Sequence, residues 1–279
     1  MNYRIIALDL DGTLTNSKKE IPASTLHALL DIQEKGYKVV LASGRPTPGM
    51  RDLAKKLQLG RYGSYILSYN GGEITECSTN RVVYKKTLPR EIVPEIFAFA
   101  KAHNIGLLTY TDDCIITGTV IDRFMEKESA INGLPIKFVP NFTEYVDFDI
   151  NKCLLTGEPD YLASMEIKLN EIYGTSFNIY RSEPFFLEFM PQNIDKAHGL
   201  NILLSDIGLT PEQLICCGDG YNDITMIEFA GLGIAMENAQ ERVKSVADYI
   251  TRSNDDNGIL HVIEKFIWKH SPAVSASVS

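Results

Sequence analysis

The sequence predicts an α/β protein whose core is a Rossmann-like parallel sheet with helices on both faces, interrupted by an inserted α+β domain. Short runs rich in Ile, Leu and Val alternate with helical patterns up to about residue 72 and again after residue 195, which is typical of buried parallel strands joined by crossover helices. The mixed strand and helix patterns between them are long enough for an independent unit. We therefore predict a core domain from residues 1–82 and 189–270, an inserted domain over residues 83–188, and a disordered tail at residues 271–279.

The first part of the core shows the alternation in its simplest form. Residues 3–8 are rich in Ile and Leu and free of Pro and Gly, which predicts a central strand covered on both faces. A helix over residues 22–36 leads to a second strand at residues 37–42, and a further helix precedes a third strand at residues 65–68. Two β-like runs within residues 73–87 predict a hairpin, and we expect the chain to leave the first sheet there.

The inserted domain and the second part of the core follow from the same periodicities. In the inserted domain the patterns predict strands at residues 106–110, 114–117, 136–139, 151–156, 176–181 and 185–190, and helices at residues 90–103, around 122–129, and between 156 and 176. After residue 195 they predict strands at residues 214–217, 232–236 and 249–250, and helices beginning at residues 195, 224, 240 and 258.

Composition excludes several classes of protein. A net charge of -9 and a pI near 5.1, with no basic stripe, argue against a nucleic-acid partner. No window approaches 18 consecutive apolar residues and the N-terminal apolar run is broken by aspartates, so we expect neither a membrane span nor a signal peptide, and a cytoplasmic location. The five scattered cysteines form neither a disulfide framework nor a zinc spacing, and we expect reduced, mostly buried thiols.

The first predicted strand ends in the sequence D-L-D-G-T, which places two carboxylates at one edge of the sheet. Asp9 and Asp11 are two residues apart, so in an extended chain they point to the same side. Gly12 allows the backbone to turn back close to whatever the carboxylates hold, and Thr13 adds a hydroxyl group and an amide donor.

Two more carboxylates, Asp219 and Asp223, follow the predicted strand at residues 214–217. Parallel strands expose their carboxyl ends along one edge, so these two are expected to converge with Asp9 and Asp11. Two unit charges about 4 Å apart repel by about 4 kcal/mol at an effective dielectric constant near 20, so such a cluster requires a cation. A set of oxygen ligands with room for water suits Mg²⁺ better than zinc.

These motifs, in this order, resemble those of the haloacid dehalogenase superfamily, most of whose members are phosphatases. D-L-D-G-T resembles the first motif, Ser43-Gly44 the second, and G-D-G-Y-N-D at residues 218–223 the acidic fourth motif. Lys196 resembles the third motif, although the family often has Gly directly after this lysine and here Ala197 follows. The inserted domain lies between the second and third motifs, as does the α/β cap of the Cof-type subfamily.

The resemblance implies a role for each matching residue. Asp9 would be the nucleophile and Asp11 the general acid and base, and Lys196 would assist as a cation on the phosphate. The metal would be held by Asp9, the backbone carbonyl of Asp11, Asp219, and Asp223 either directly or through water. The implied phosphate-binding residues are Thr13, Ser43, Gly44, Lys196 and Asn222, of which Asn222 would alternatively orient Lys196.

The resulting hypothesis is a Mg²⁺-dependent phosphatase that hydrolyses small phosphomonoesters through an aspartyl phosphate. Sugar phosphates are the first expected substrates and phosphorylated cofactors the second. A phosphomutase on the same scaffold and a non-catalytic phosphometabolite-binding protein remain alternatives, and the oligomeric state is left open. In each case the partner is a small phosphorylated metabolite, for which the candidate contacts are Arg45, Asn70, Tyr180, Arg181 and Glu188.

Overall fold

The strands form two sheets in the computed structural model, which describes residues 3–270. In chain order they are β1 (Ile5–Leu8), β2 (Lys38–Ala42), β3 (Tyr65–Ser68), β4 (Glu73–Glu76), β5 (Arg81–Lys85), β6 (Gly106–Tyr110), β7 (Ile115–Thr117), β8 (Ile136–Phe138), β9 (Cys153–Thr156), β10 (Phe177–Glu183), β11 (Phe186–Pro191), β12 (Leu214–Gly218), β13 (Leu232–Ala235) and β14 (Tyr249–Ile250).

The helices are α1 (Ala23–Glu34), α2 (Arg51–Lys56), α3 (Leu59–Tyr62), α4 (Ile92–Ala102), α5 (Arg123–Asn132), α6 (Phe142–Tyr145), α7 (Pro159–Tyr173), α8 (Lys196–Ile207), α9 (Ile224–Phe229), α10 (Glu241–Lys244) and α11 (Gly258–Val262). A π-helical turn, Ile263–Ile267, continues α11. Among the described residues, no helix is both long enough and apolar enough to cross a membrane.

The larger sheet has the order β14-β13-β12-β1-β2-β3-β4-β5, and its strands are parallel from β14 to β3. Its central strand β1 is buried on both faces. Ile6 and Leu8 pack with α1 and α11 in one apolar cluster, whereas Ile5 and Ala7 pack with α8 in another. The predicted α/β fold, with a mostly parallel sheet and helices on both faces, is therefore confirmed.

The hairpin of β4 and β5 corrects one expectation. It does not leave the first sheet, because β4 pairs antiparallel with β3 and β5 pairs antiparallel with β4. The chain reverses within residues 69–71, where Asn70 and Gly71 have φ values of 53° and 96°. The predicted boundary at residue 83 thus falls inside β5, a strand of the larger sheet.

The smaller sheet has the order β10-β11-β9-β6-β7-β8 and is antiparallel except for the pair β7 and β8. One face packs on α4, α6 and α7, while the other meets Tyr69 and Ile194. The predicted boundary at residue 188 falls inside β11, because Met190 and Pro191 still pair with β10. We therefore propose that the inserted domain begins after Lys85 and ends at Pro191.

Two smaller expectations concern the cysteines and the tail. All five cysteines are unpaired thiols; Cys153, Cys216 and Cys217 are buried, and Cys77 and Cys114 are partly so. The tail predicted as disordered, residues 271–279, lies outside the described residues.

Candidate active site

Three carboxylates meet at the carboxyl edge of the larger sheet. The backbone N–H of Asp9 donates to the carbonyl oxygen of Cys217 at 3.0 Å, which extends the pairing of β1 with β12 and sets Asp9 beside Asp219. Carboxylate oxygens of Asp9, Asp219 and Asp223 lie within 4.8 Å of one another. The structure thus brings together three of the four aspartates that the sequence predicted to converge.

Lys196 lies inside this cluster. It is the first residue of α8, whose N-terminus is capped by the side chain of Asp195. Its Nζ lies 2.6 Å from Oδ1 of Asp9 and 2.6 Å from Oδ1 of Asp223, and its side chain is fully buried. The lysine is therefore an internal cation between two carboxylates.

Asp223 is the most constrained of the three carboxylates. Besides its bond to Lys196, its Oδ2 accepts the backbone N–H groups of Asp219 and Gly220, each at 2.9 Å. Both of its oxygens are thus already bonded, which favours contact with a metal through water over direct ligation.

Gly12 and Thr13 complete the floor of the site. Gly12 has a φ of 90°, and a β-carbon there would overlap Oδ2 of Asp219, so this position requires glycine for both its backbone angle and its space. Thr13 Oγ1 donates to Oδ1 of Asp219 at 2.7 Å. The turn after β1 therefore packs directly on the aspartate that follows β12.

The charges of the cluster are unbalanced. Burial, together with the negative charges of Asp223 and Asp219, raises the pKa of Asp9 to about 8, although Lys196 opposes the shift. Burial raises the pKa of Asp219 to about 6, against the hydrogen bond from Thr13. Burial alone would lower the pKa of Lys196, but Asp223 and Asp9 outweigh it and raise that pKa. One cation does not neutralise three carboxylates, of which Asp9 and Asp223 are buried and Asp219 is partly buried, so the oxygen donors fit a divalent cation.

Asp11 has different neighbours. Arg45 binds it in two places, through Nε to Oδ2 at 2.9 Å and through Nη2 to Oδ1 at 2.7 Å, and Lys19 Nζ approaches Oδ1 at 2.8 Å. Burial would raise the pKa of Asp11, but the Arg45 and Lys19 charges and hydrogen bonds outweigh it and lower that pKa. The same guanidinium donates through Nη1 to the carbonyl oxygen of Ile131 in α5, at 3.1 Å. Arg45 therefore links Asp11 to a helix that packs on the smaller sheet.

Ser43 and Gly44 follow β2 on the neighbouring side of the floor. Ser43 is buried, and its Oγ accepts the backbone N–H of Arg45 at 3.2 Å. Gly44 lies against the amide group of Asn70. Both line the cavity that also contains Asp9 and Asp219.

Of the remaining predicted contacts, Asn222, Asn70 and Tyr180 are joined by hydrogen bonds, whereas Arg181 lies apart from them. Asn222 Nδ2 donates to Oδ1 of Asn70, and Asn70 Nδ2 donates to the hydroxyl oxygen of Tyr180, at 3.0 and 2.9 Å. The expectation that Asn222 orients Lys196 is not met, because Asp9 and Asp223 hold that lysine. Arg181 donates through Nε to the carboxylate of Glu166, a residue of α7, at 2.7 Å. It does not line the cavity over Asp9.

A cavity of about 240 Å³ lies above this floor and is roofed by side chains from α5, β10, β11 and the residue before β9. Glu188 was predicted from the sequence, whereas Lys152, whose Nζ lies 2.9 Å from Oε2 of Glu188, was not. Glu128 and Asn132 on α5 were not predicted either. A single lysine before an apolar strand is usually a solvated charge, so no local signal distinguished Lys152.

Comparison with known proteins identifies relatives that cover nearly the whole chain. A family model described as haloacid dehalogenase-like hydrolase matches residues 6–263. A Bacillus subtilis protein, 5-amino-6-(5-phospho-D-ribitylamino)uracil phosphatase YcsE, is 30% identical over 96% of this chain and 97% of its own length. The crystal structure of a haloacid dehalogenase-like hydrolase from Bacteroides thetaiotaomicron is 46% identical, with a TM-score of 0.92 over 94% of this chain and 99% of that one. TM0651 from Thermotoga maritima is 29% identical, with a TM-score of 0.84 over 94% of this chain and 97% of that one.

Proposed function

This chain belongs to the haloacid dehalogenase-like hydrolases, and from that premise we propose that it is a Mg²⁺-dependent phosphatase of small phosphomonoesters that works through an aspartyl phosphate on Asp9. The observation that carries the proposal is the cluster of Asp9, Asp219, Asp223 and Lys196, in which only Asp219 is partly exposed. A relative named for a phosphorylated ribityl compound supports small metabolites as substrates, among them sugar phosphates and phosphorylated cofactors.

The donor set fits Mg²⁺. Asp9 and Asp219 would hold the ion directly, with the backbone carbonyl of Asp11, and Asp223 would hold it through water. When bound, the ion would supply positive charge to the oxygens of the transferring phosphoryl group. Lys196 adds a second positive charge at the same edge, and Thr13, Ser43, Gly44 and Asn222 offer hydrogen-bond donors there.

In the first step the carboxylate of Asp9 attacks phosphorus in line with the leaving oxygen and forms the aspartyl phosphate. Asp11 donates a proton to the leaving alkoxide. In the structure Asp11 is held ionised by Arg45 and Lys19, so it must first gain a proton. We infer that the transferring phosphoryl group competes for Arg45 and occupies it, so that Asp11 can take up a proton from solvent before this step.

In the second step Asp11, now a carboxylate again, removes a proton from the water that attacks the aspartyl phosphate. Phosphate leaves, and Asp9 returns to its carboxylate form. The ionised state of Asp11 in the structure is the state that this second step needs.

The proposal is tested by assaying a panel of phosphorylated metabolites for inorganic phosphate, with Mg²⁺ and with a chelator. We expect release from at least one sugar or cofactor phosphate with Mg²⁺, and background rates with the chelator. Mg²⁺ at about 100 times its dissociation constant should also raise Tm by roughly 5–10 °C, because it binds only the folded cluster. Asp219→Asn should lose most of this shift.

Other outcomes of the panel would contradict the proposal. Transfer of the phosphoryl group between two positions of a sugar, without release, would indicate a phosphomutase. Binding of phosphorylated metabolites without turnover of any of them would indicate a non-catalytic binding protein.

Asp11→Asn tests the acid and base role through the leaving group. We expect kcat/KM for an alkyl phosphate to fall by about 10²–10⁴-fold, because its alkoxide must be protonated as it leaves. With p-nitrophenyl phosphate, whose leaving group needs no proton, a burst of about one equivalent of nitrophenol should precede slow turnover, because only hydrolysis of the intermediate needs the base. Equal losses on both substrates without a burst would reject this role.

A further inference from the structure

We propose that the cavity roof selects substrates whose leaving group is an uncharged alcohol and rejects those whose leaving group carries a second anionic group. This inference rests on the proposed phosphatase activity and concerns only the half of the substrate that lies above the phosphoryl group. It follows from the charges of the roof and from the pairing of its polar groups.

The charge of the roof is negative. Its charged side chains are Glu128, Glu183, Glu188 and Lys152, so three carboxylates face one ammonium group. Lys152 and Glu188 are both buried, with exposed side-chain fractions of 4% and 7%, and form an ion pair at 2.9 Å. The charge of Lys152 is therefore neutralised inside the roof, and among the described residues neither Glu128 nor Glu183 forms an ion pair.

The other cation lining this cavity is also engaged. Arg45 is bound to Asp11 by two hydrogen bonds and to the carbonyl oxygen of Ile131 by a third. Lys196 lies below the floor between Asp9 and Asp223, where the phosphoryl group would be. A carboxylate or second phosphate on the leaving group would thus meet acidic side chains and no available cation, which is an unfavourable interaction at short range.

The pairing of the roof's polar groups points the same way. Carboxylates are acceptors only, and Glu128 already accepts from the Tyr110 hydroxyl at 2.7 Å and from Asn132 Nδ2 at 2.8 Å. Glu188 Oε1 accepts from the Ser182 hydroxyl at 2.9 Å, and its Oε2 lies 2.9 Å from Lys152 Nζ. A second anion would bring only further acceptors to these carboxylates.

A matched pair of substrates tests the inference. Glucitol 6-phosphate and 6-phosphogluconate carry the same phosphate on the same six-carbon chain and differ at C1, which is CH₂OH in one and a carboxylate in the other. We expect kcat/KM with Mg²⁺ to favour glucitol 6-phosphate by on the order of 100-fold. Inorganic phosphate is measured for both, and p-nitrophenyl phosphate is included to report the activity of the site itself.

Variants of the roof locate the cause of the preference. Glu188→Gln leaves the Lys152 ammonium unpaired, and should narrow the ratio by about tenfold. Glu183→Gln removes an exposed carboxylate, so it avoids disturbing the core, and should narrow the ratio by a smaller factor. Glu171→Gln removes the same charge from an exposed position on α7 that does not line the cavity, and should leave the ratio unchanged.

Each outcome decides one of the two proposals. Equal rates for the pair, a preference for 6-phosphogluconate, or hydrolysis of p-nitrophenyl phosphate alone would overturn the inference and leave the phosphatase proposal intact. A wild-type preference that is unchanged in Glu188→Gln and Glu183→Gln would also overturn it, since the roof charges would not be the cause. Failure to release phosphate from all three compounds would overturn the phosphatase proposal itself.

Discussion

Asp9→Asn is expected to lower the rate of phosphate release by at least about 10⁴-fold, because an amide cannot form the aspartyl phosphate. The fold should be retained. The pKa of Asp9 in the folded protein, about 8, lies above the ordinary value of 3.8, so its ionisation destabilises the folded state as pH rises through that interval. Asparagine removes this penalty, and without Mg²⁺ the variant should therefore melt no lower than the wild type at pH 8.

The measurements are steady-state phosphate release and thermal unfolding with a chelator present. Asp52→Asn is the matched control, because Asp52 is a strongly exposed aspartate on α2 and its loss should change neither quantity. Turnover within tenfold of the wild type in Asp9→Asn would reject Asp9 as the nucleophile.

Lys196→Met is the second change with a large expected effect. The variant keeps a side chain of similar length but leaves Asp9 and Asp223 without the ammonium group that lies 2.6 Å from each. Removing one partner of a buried ion pair typically destabilises a protein by about 3–5 kcal/mol. We also expect phosphate release to fall by about 10³-fold, because a cation at the phosphoryl group is lost.

Stability is measured by denaturant unfolding with a chelator, so that Mg²⁺ does not replace the missing charge. Adding Asp223→Asn to the Lys196→Met variant should restore part of the stability, since it removes one uncompensated carboxylate, without restoring turnover. Lys168→Met, an exposed position on α7, should behave as the wild type. A Lys196→Met protein as stable as the wild type would contradict the internal-cation role of Lys196.

The parts of the fold that local patterns specify were predicted well. Within residues 3–8, the four residues Ile5–Leu8 are apolar and pack alternately on the two faces of the sheet. The strand β1 lies where this apolar run predicts it. The glycine of D-L-D-G-T was predicted to allow a close approach, and Gly12 packs directly on Asp219. These features depend on short stretches of chain whose neighbours are fixed by the sheet.

Features that depend on distant residues were not predictable in the same way. The burial of Lys196 results from Asp9 and Asp223, which are 187 and 27 residues away in the chain. The Lys152 and Glu188 pair joins positions 36 residues apart. The hairpin was correctly expected, but its sheet was not, because the left-handed turn at Asn70 and Gly71 determines which edge it joins.

The central claim, a covalent phosphoryl intermediate on Asp9, is tested most directly by trapping it. Wild-type and Asp11→Asn protein are mixed with Mg²⁺ and a hydrolysed substrate, quenched early, and treated with borohydride, which reduces an aspartyl phosphate to homoserine. We expect homoserine at position 9, at higher occupancy in Asp11→Asn, where hydrolysis of the intermediate is slowed. Phosphate release by the wild type with no homoserine in either protein, or with homoserine at another aspartate, would contradict the account.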